Sequence, residues 1–212
     1  MGAVIWFVLS HMEFWLAAVI AYFCGCFNGA VIVSKYILHD DVRTHGSGNA
    51  GLTNFYRVFG KQKILLVILA DVLKTVIAVL AGAALFHWAG NDPIIGKLLG
   101  GLLCMVGHMF PFQFEFKGGK GVLAGGTMAC FMGWKVAVAV WGIFFLMVIL
   151  TRFVSLGSVG AGVLYPISVG LVYQNLWYTL LALVAGGLLV WRHKDNIKRL
   201  LRGEESKLKL HK

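Results

Sequence analysis

Charged side chains are scarce in this 212-residue sequence, at 13%, against about 25% in ordinary soluble domains. A soluble fold of this length needs far more polar surface, so that class is excluded. Acidic residues are rarer still, 9 against 19 Lys and Arg, leaving a formal charge of +10. No zinc finger, basic helix or aromatic-basic module accompanies that charge, which argues against nucleic acid as a partner. The GxxxxGK[ST] spacing is absent, so nucleotide hydrolysis has no support. No Ser/His/Asp or Cys/His triad is visible by spacing, although triads assemble from distant residues. The four cysteines, Cys24, Cys26, Cys104 and Cys130, lie within apolar runs. They read as small hydrophobes, with no metal or cofactor implied. The first apolar run lacks a basic leader and is followed by many others, so it does not read as a signal peptide. No tandem repeat is present.

What the chain does have is apolar length: 59% of its residues are hydrophobic. Long runs cover 14–34 (with 4–9 as an outward extension), 64–86, 94–110, 136–150, 156–172 and 176–191. A helix needs roughly 20 residues to cross a bilayer. The expectation is an all-α, polytopic integral membrane bundle forming a single domain over 1–212.

Three polar segments separate the runs: 35–63, 107–126 and 192–212. The last carries eight Lys or Arg against three acids. Short basic segments at span ends mark the cytoplasmic face, and they attract anionic headgroups and phosphorylated substrates. If all three share that face, the crossings between successive segments are even in number. The stretch 122–150 would be about 43 Å as one helix. It contains Gly125, Gly126 and Gly133, with Lys135 near its middle. Splitting it at Gly133 gives about seven transmembrane helices, N-terminus outside and C-terminus cytoplasmic. Five crossings follow instead if the glycine-rich part is re-entrant.

The chemistry sits in the polar segments. The first offers Ser47, Asn49, Thr53, Asn54 and Arg57 among Gly46, Gly48 and Gly51. Glycine turns can aim peptide N–H groups at an anion, and Arg57 supplies a planar donor fork. The second centres on Lys117, Gly118, Gly119, Lys120 and Gly121. Two cations around paired glycines before a helix start can cradle a phosphate. His108, at the end of an apolar run, reads as a cap or packing histidine. In the third, His193 and Asn196 share a helix face at i,i+3. Asp71 and Lys74, also at i,i+3, are charges inside a span. They read at least as well as a mutually paired structural couple as a functional one, and stay outside the candidate site.

Taken together, the strings SGNAGLTNFYRVFG, GHMFPFQFEFKGGKG and HKDNIKRLLRGEE resemble the bacterial acyl-phosphate:glycerol-3-phosphate acyltransferases of the PlsY family. The order and the intervening spans match as well, and so does TRFVSLGS at 151–158. The resemblance implies transfer of a fatty acyl group from acyl phosphate to the 1-hydroxyl of sn-glycerol 3-phosphate. The products are lysophosphatidic acid and inorganic phosphate. It implies a seven-span fold in the bacterial inner membrane, its site facing the cytoplasm, with no cofactor and no obligate protein partner. It assigns catalytic roles to His193, Asn196 and Ser47. Substrate and phosphate binding fall to Arg57, Asn49, Thr53, Asn54, the 117–121 loop and Glu205, with Glu204 as the alternative tail glutamate. Leu52 stands where the family commonly has alanine, and Leu123-Ala124 where it has Ala-Thr, which removes the hydroxyl at that point. His193 acts as base or as orienter. The rival class is a transporter or binding scaffold for phosphorylated metabolites, which would need polar residues along a path through mid-membrane.

Overall fold

The computed structural model describes residues 11–208, so the extension at 4–9 lies outside the described residues. Every regular element among them is helical. Helix α1 (Met12–Cys26) breaks at Phe27 and Asn28, and the chain resumes as α2 (Gly29–Ile32) with a further wide turn at Val33–Ile37. Asn28 makes this break. Its Oδ1 caps Val31 N at 3.1 Å while its Nδ2 donates to Ala50 O at 3.0 Å, binding the helix to the first polar segment. A short α3 (Leu52–Phe59) leads into α4 (Ile64–Trp88), whose 25 residues give about 37 Å, enough to cross hydrocarbon. Asp92 caps α5 (Pro93–Met109), with proline at the first turn where its missing N–H costs nothing.

Between α6 (Val122–Phe131) and α7 (Trp134–Thr151) the chain turns at Gly133, whose φ of 94° suits glycine. The break expected in 122–150 therefore falls where the sequence placed it. Helices α8 (Val154–Tyr173) and α9 (Leu176–Arg192) follow, and α9 bends by 56° into α10 (Lys194–Leu201). All seven apolar segments are helical, but they differ in length. Five described helices are long and apolar enough to cross a membrane, and α9 joined to α10 makes a sixth. Helix α6 has 10 residues, about 15 Å, half of a hydrocarbon core.

Lipid offers no hydrophobic drive between helices, so close backbone approach does the packing. A Cβ on Gly82 of α4 would lie 2.2 Å from Gly96 O of α5. One on Gly25 of α1 would lie 2.1 Å from Cys104 O. Any side chain at either position would separate the pair. Outward faces stay apolar, as at Ile149 and Leu150 of α7, which are 75% and 70% exposed. This is a multi-pass membrane protein.

The three polar segments meet at one end of the bundle. Arg43 Nη1 donates to Phe114 O at 3.2 Å, joining the first to the second. Arg192 Nη2 donates to Gly119 O at 3.0 Å, and Arg57 Nη2 to Ser206 O at 3.1 Å, so the third segment closes on both. Leu208 N reaches Arg152 O at 2.8 Å, placing Arg152 at the same end.

Candidate functional site

Where the segments meet, they enclose a cleft of about 980 Å³ lined by Ser47, Asn49, Thr53, Asn54, Arg57, Lys120, Gly121, His193, Asn196 and Glu205. A second, more open hollow of about 1050 Å³ shares Ser47, Asn49, Lys120 and Asn196 with it and adds Arg43, Lys117, Gly118, Arg192 and Lys194. Beside the cleft lies a narrow apolar slot, sharing Val122, Trp141 and Phe144 with it as walls. The layout is a cationic forecourt, a polar cleft and an apolar slot in sequence.

The core of the cleft is one hydrogen-bonded chain. Lys120 Nζ donates to Asn196 Oδ1. Asn196 Nδ2 donates to Glu205 Oε1 at 2.7 Å. Glu205 also accepts Ser155 Oγ at 2.8 Å and Arg199 Nε at 2.7 Å. Burial pushes the Glu205 carboxyl upward, but the donors Asn196, Arg199 and Ser155 outweigh it and hold it below the usual range. Lys120 is lowered as well, but by burial first and then the neighbouring Arg199, to about 8. Of the two tail glutamates, Glu205 is buried and Glu204 exposed. Lys120 and Glu205 thus fix the two ends of the Asn196 amide, and Ser155 and Arg199 hold Glu205 in turn.

His193 ends α9 and is buried. Its Nδ1 lies 2.8 Å from Leu189 O, and a carbonyl only accepts, so Nδ1 carries the proton. Nε2 is left as the acceptor. Burial depresses the imidazole to about 4, with Lys120 adding to the effect, so the ring is neutral at pH 7.

The structure corrects four sequence expectations. Gly118 N donates to Met109 O at 3.2 Å and Gly119 N to His108 O at 3.1 Å. These amides satisfy carbonyls at the end of α5, and are not free to cradle an anion. The glycines serve close approach instead: a Cβ on Gly118 would lie 2.1 Å from His108 O. Lys117 is exposed, pairs with Glu115 at 2.7 Å and borders only the outer hollow. Asn54 spends its amide on Ser47 N, Val42 O and His45 O, organising the first loop rather than facing a ligand. Glu205 is an acceptor that positions Asn196 and Arg199, since a carboxylate repels phosphate.

Sequence reasoning set Arg199 beside the face of His193 and Asn196 but left it out of the site, and it missed Arg192 and Ser155, the last though the 151–158 string held it. It also left His108 as a packing residue and kept the Asp71–Lys74 couple out of the site. Asp71 and Lys74 do pair, at 2.6 Å, and His108 Nδ1 joins them, 2.8 Å from Lys74 Nζ. An unpaired charge at mid-bilayer costs roughly 2.5–3.5 kcal/mol on insertion scales, so this mutual satisfaction is required. Asp71 and His108 both reach the cleft floor. Thr127, by contrast, bonds back to Leu123 O at 2.8 Å and stays out of the site.

Comparison with known proteins gives the same answer from several sides. The family described as Glycerol-3-phosphate acyltransferase matches residues 15–203. A glycerol-3-phosphate acyltransferase of Thermoanaerobacter sp. (strain X514) is 37% identical over 91% of this chain and 94% of its own. One from Coxiella burnetii (strain CbuG_Q212) is 36% identical over 94% of this chain and all of its own length. Among solved structures, the integral membrane glycerol 3-phosphate acyltransferase PlsY (YgiH) in its glycerol 3-phosphate form superposes with a TM-score of 0.83. It is 30% identical, over 92% of this chain and 96% of that one. Its lysophosphatidic acid form gives 0.81. The chain belongs to the glycerol-3-phosphate acyltransferase family.

Proposed function

We propose that this protein transfers a fatty acyl group from acyl phosphate to the 1-hydroxyl of sn-glycerol 3-phosphate, at the cytoplasmic face of a bacterial inner membrane. We read 1–212 as one domain with seven crossings. The observation that carries the reading is the adjacency of a cationic cleft and an apolar slot, through shared walls at Val122, Trp141 and Phe144. An acyl phosphate has those two halves. The solved relatives with glycerol 3-phosphate and with lysophosphatidic acid support the acceptor and the product.

Arg57, Lys120 and Arg199 supply the charge for the two phosphates, with Arg192 and Lys194 drawing anions into the forecourt. Asn49 and Thr53 border the acceptor phosphate, and Ser47 stands at the join of cleft and forecourt. His193 Nε2 accepts the hydroxyl of glycerol 3-phosphate and orients its lone pair. The mixed anhydride is already activated, so no covalent enzyme intermediate is needed. Attack forms the carbon–oxygen ester bond and breaks the carbonyl carbon–phosphate oxygen bond. The hydroxyl proton leaves on inorganic phosphate. Proximity and charge stabilisation carry the acceleration.

Purified protein in lipid, given glycerol 3-phosphate with either palmitoyl phosphate or palmitoyl-CoA, tests the donor. Lysophosphatidic acid and phosphate are expected only from the acyl phosphate. Turnover of the thioester with the acyl phosphate inert overturns the assignment.

A further inference from the structure

We infer that His108 donates a hydrogen bond from Nε2 to the carbonyl oxygen of the acyl donor, stabilising the oxyanion that forms there. The inference rests on the acyl-phosphate reading above.

Lys74 sets the tautomer of His108. Its ammonium has three hydrogens and no lone pair. Three acceptors surround it: Asp71 Oδ1 at 2.6 Å, Phe27 O at 2.9 Å and His108 Nδ1 at 2.8 Å. All three hydrogens are used, so Nδ1 must accept, and the proton of the neutral imidazole resides on Nε2. Asp71 is itself held by Gly29 N at 3.2 Å, so the arrangement is anchored to α2. His108 is 4% exposed, and its ring has no freedom to choose another tautomer.

Nε2 then has somewhere to donate. His108 lines the cleft floor. Among the described residues no acceptor partners Nε2. A Cβ on Gly119 would lie 2.2 Å from it, so any side chain there would close off this edge of the ring. Nε2 is not among the buried side-chain atoms left without a partner, so it opens to the cleft, where a ligand oxygen can accept its hydrogen.

Position selects the oxygen. One turn before His108 on α5, Met105 borders the apolar slot. Immediately after it in space comes the loop bearing Lys120. A chain in the slot and a phosphate at Lys120 leave the carbonyl between them, beside His108. Attack by the acceptor hydroxyl converts the carbonyl oxygen to an oxyanion facing Nε2–H, and its collapse expels phosphate.

Two substitutions separate this role from a structural one. His108→Asn keeps an acceptor where Nδ1 meets Lys74 but removes the Nε2 donor. His108→Gln keeps a donor near the Nε2 position but gives up the Nδ1 acceptor. With palmitoyl phosphate and glycerol 3-phosphate, His108→Asn is expected to lower kcat about 10²–10³-fold, as for loss of one oxyanion donor. KM for both substrates should change less than threefold, and His108→Gln should recover at least tenfold of the lost kcat. The opposite order, Asn active and Gln inactive, overturns the inference in favour of a purely structural histidine. A second measurement needs no variant. Wild type should bind palmitoylphosphonate, which keeps the carbonyl, about 3–10-fold tighter than the analogue with CH2 in its place, as one hydrogen bond gives. A preference below twofold overturns the inference. Complete inertness of palmitoyl phosphate with wild type is a different result, and removes the donor assignment along with it.

Discussion

The side-chain amide of Asn196 donates to Glu205 Oε1 at 2.7 Å across the turn that follows α10. Because the same amide receives Lys120 on its other atom, the carboxylate sets the position of a cation from another segment. Ser155 and Arg199 complete the shell around Glu205. A buried acceptor thus organises a site built to receive anions.

Glu205→Ala leaves Asn196, Ser155 and Arg199 without their acceptor. Hydrogen bonds to a charged group are worth about 1.5–3 kcal/mol each, and Arg199, 41% exposed in its side chain, recovers part of its share from water. The expected loss of stability is about 2–3 kcal/mol, read as a lower melting temperature in detergent. Glu205→Gln should lose about half as much.

Lys120, depressed to about 8, predicts an alkaline limb. Below that pH the ammonium is charged and binds phosphate; above it the neutral amine does not. Phosphate monoesters complete their second ionisation near 6, so the substrates do not titrate in this range. kcat/KM, which reports the free enzyme, should fall as pH rises through about 8. Lys120→Arg, charged throughout, should move that limb upward by more than one pH unit. An unmoved limb would assign it elsewhere.

His193, neutral above about 4, is poorly matched to proton abstraction near pH 7, where an efficient base has a pKa close to the working pH. We predict that His193→Ala lowers kcat about 10²-fold or more, while His193→Gln, which keeps an acceptor, stays within about tenfold of wild type. Equal losses in both variants, with the fold intact, would make the ring a proton carrier.

Topology is testable with single cysteines in a background lacking the four native ones. Lys61→Cys and Ser206→Cys should resist an impermeant thiol reagent added to intact cells. Trp88→Cys, at the 84% exposed last position of α4, should react. Labelling at Ser206 from outside would invert the proposed orientation.

The membrane class, the helices and the break at Gly133 were legible in sequence because they are local. Apolar run length, a glycine at positive φ and a cap such as Asp92 act within a few residues. The pairing of Asp71 with Lys74 was legible for the same reason, one helical turn apart, whereas His193 falls at the bend before α10 rather than within one helix with Asn196. What only the tertiary structure decided is which polar atoms remain free. The amides of Gly118 and Gly119 are consumed by α5 carbonyls, the amide of Asn54 by its own loop, and Lys117 by Glu115. His108, unremarkable in sequence, acquires a fixed tautomer only because Lys74 and Asp71 come from a different helix. A hydrogen-bond donor satisfies one acceptor at a time, and the chain order does not say which one the fold brings nearest.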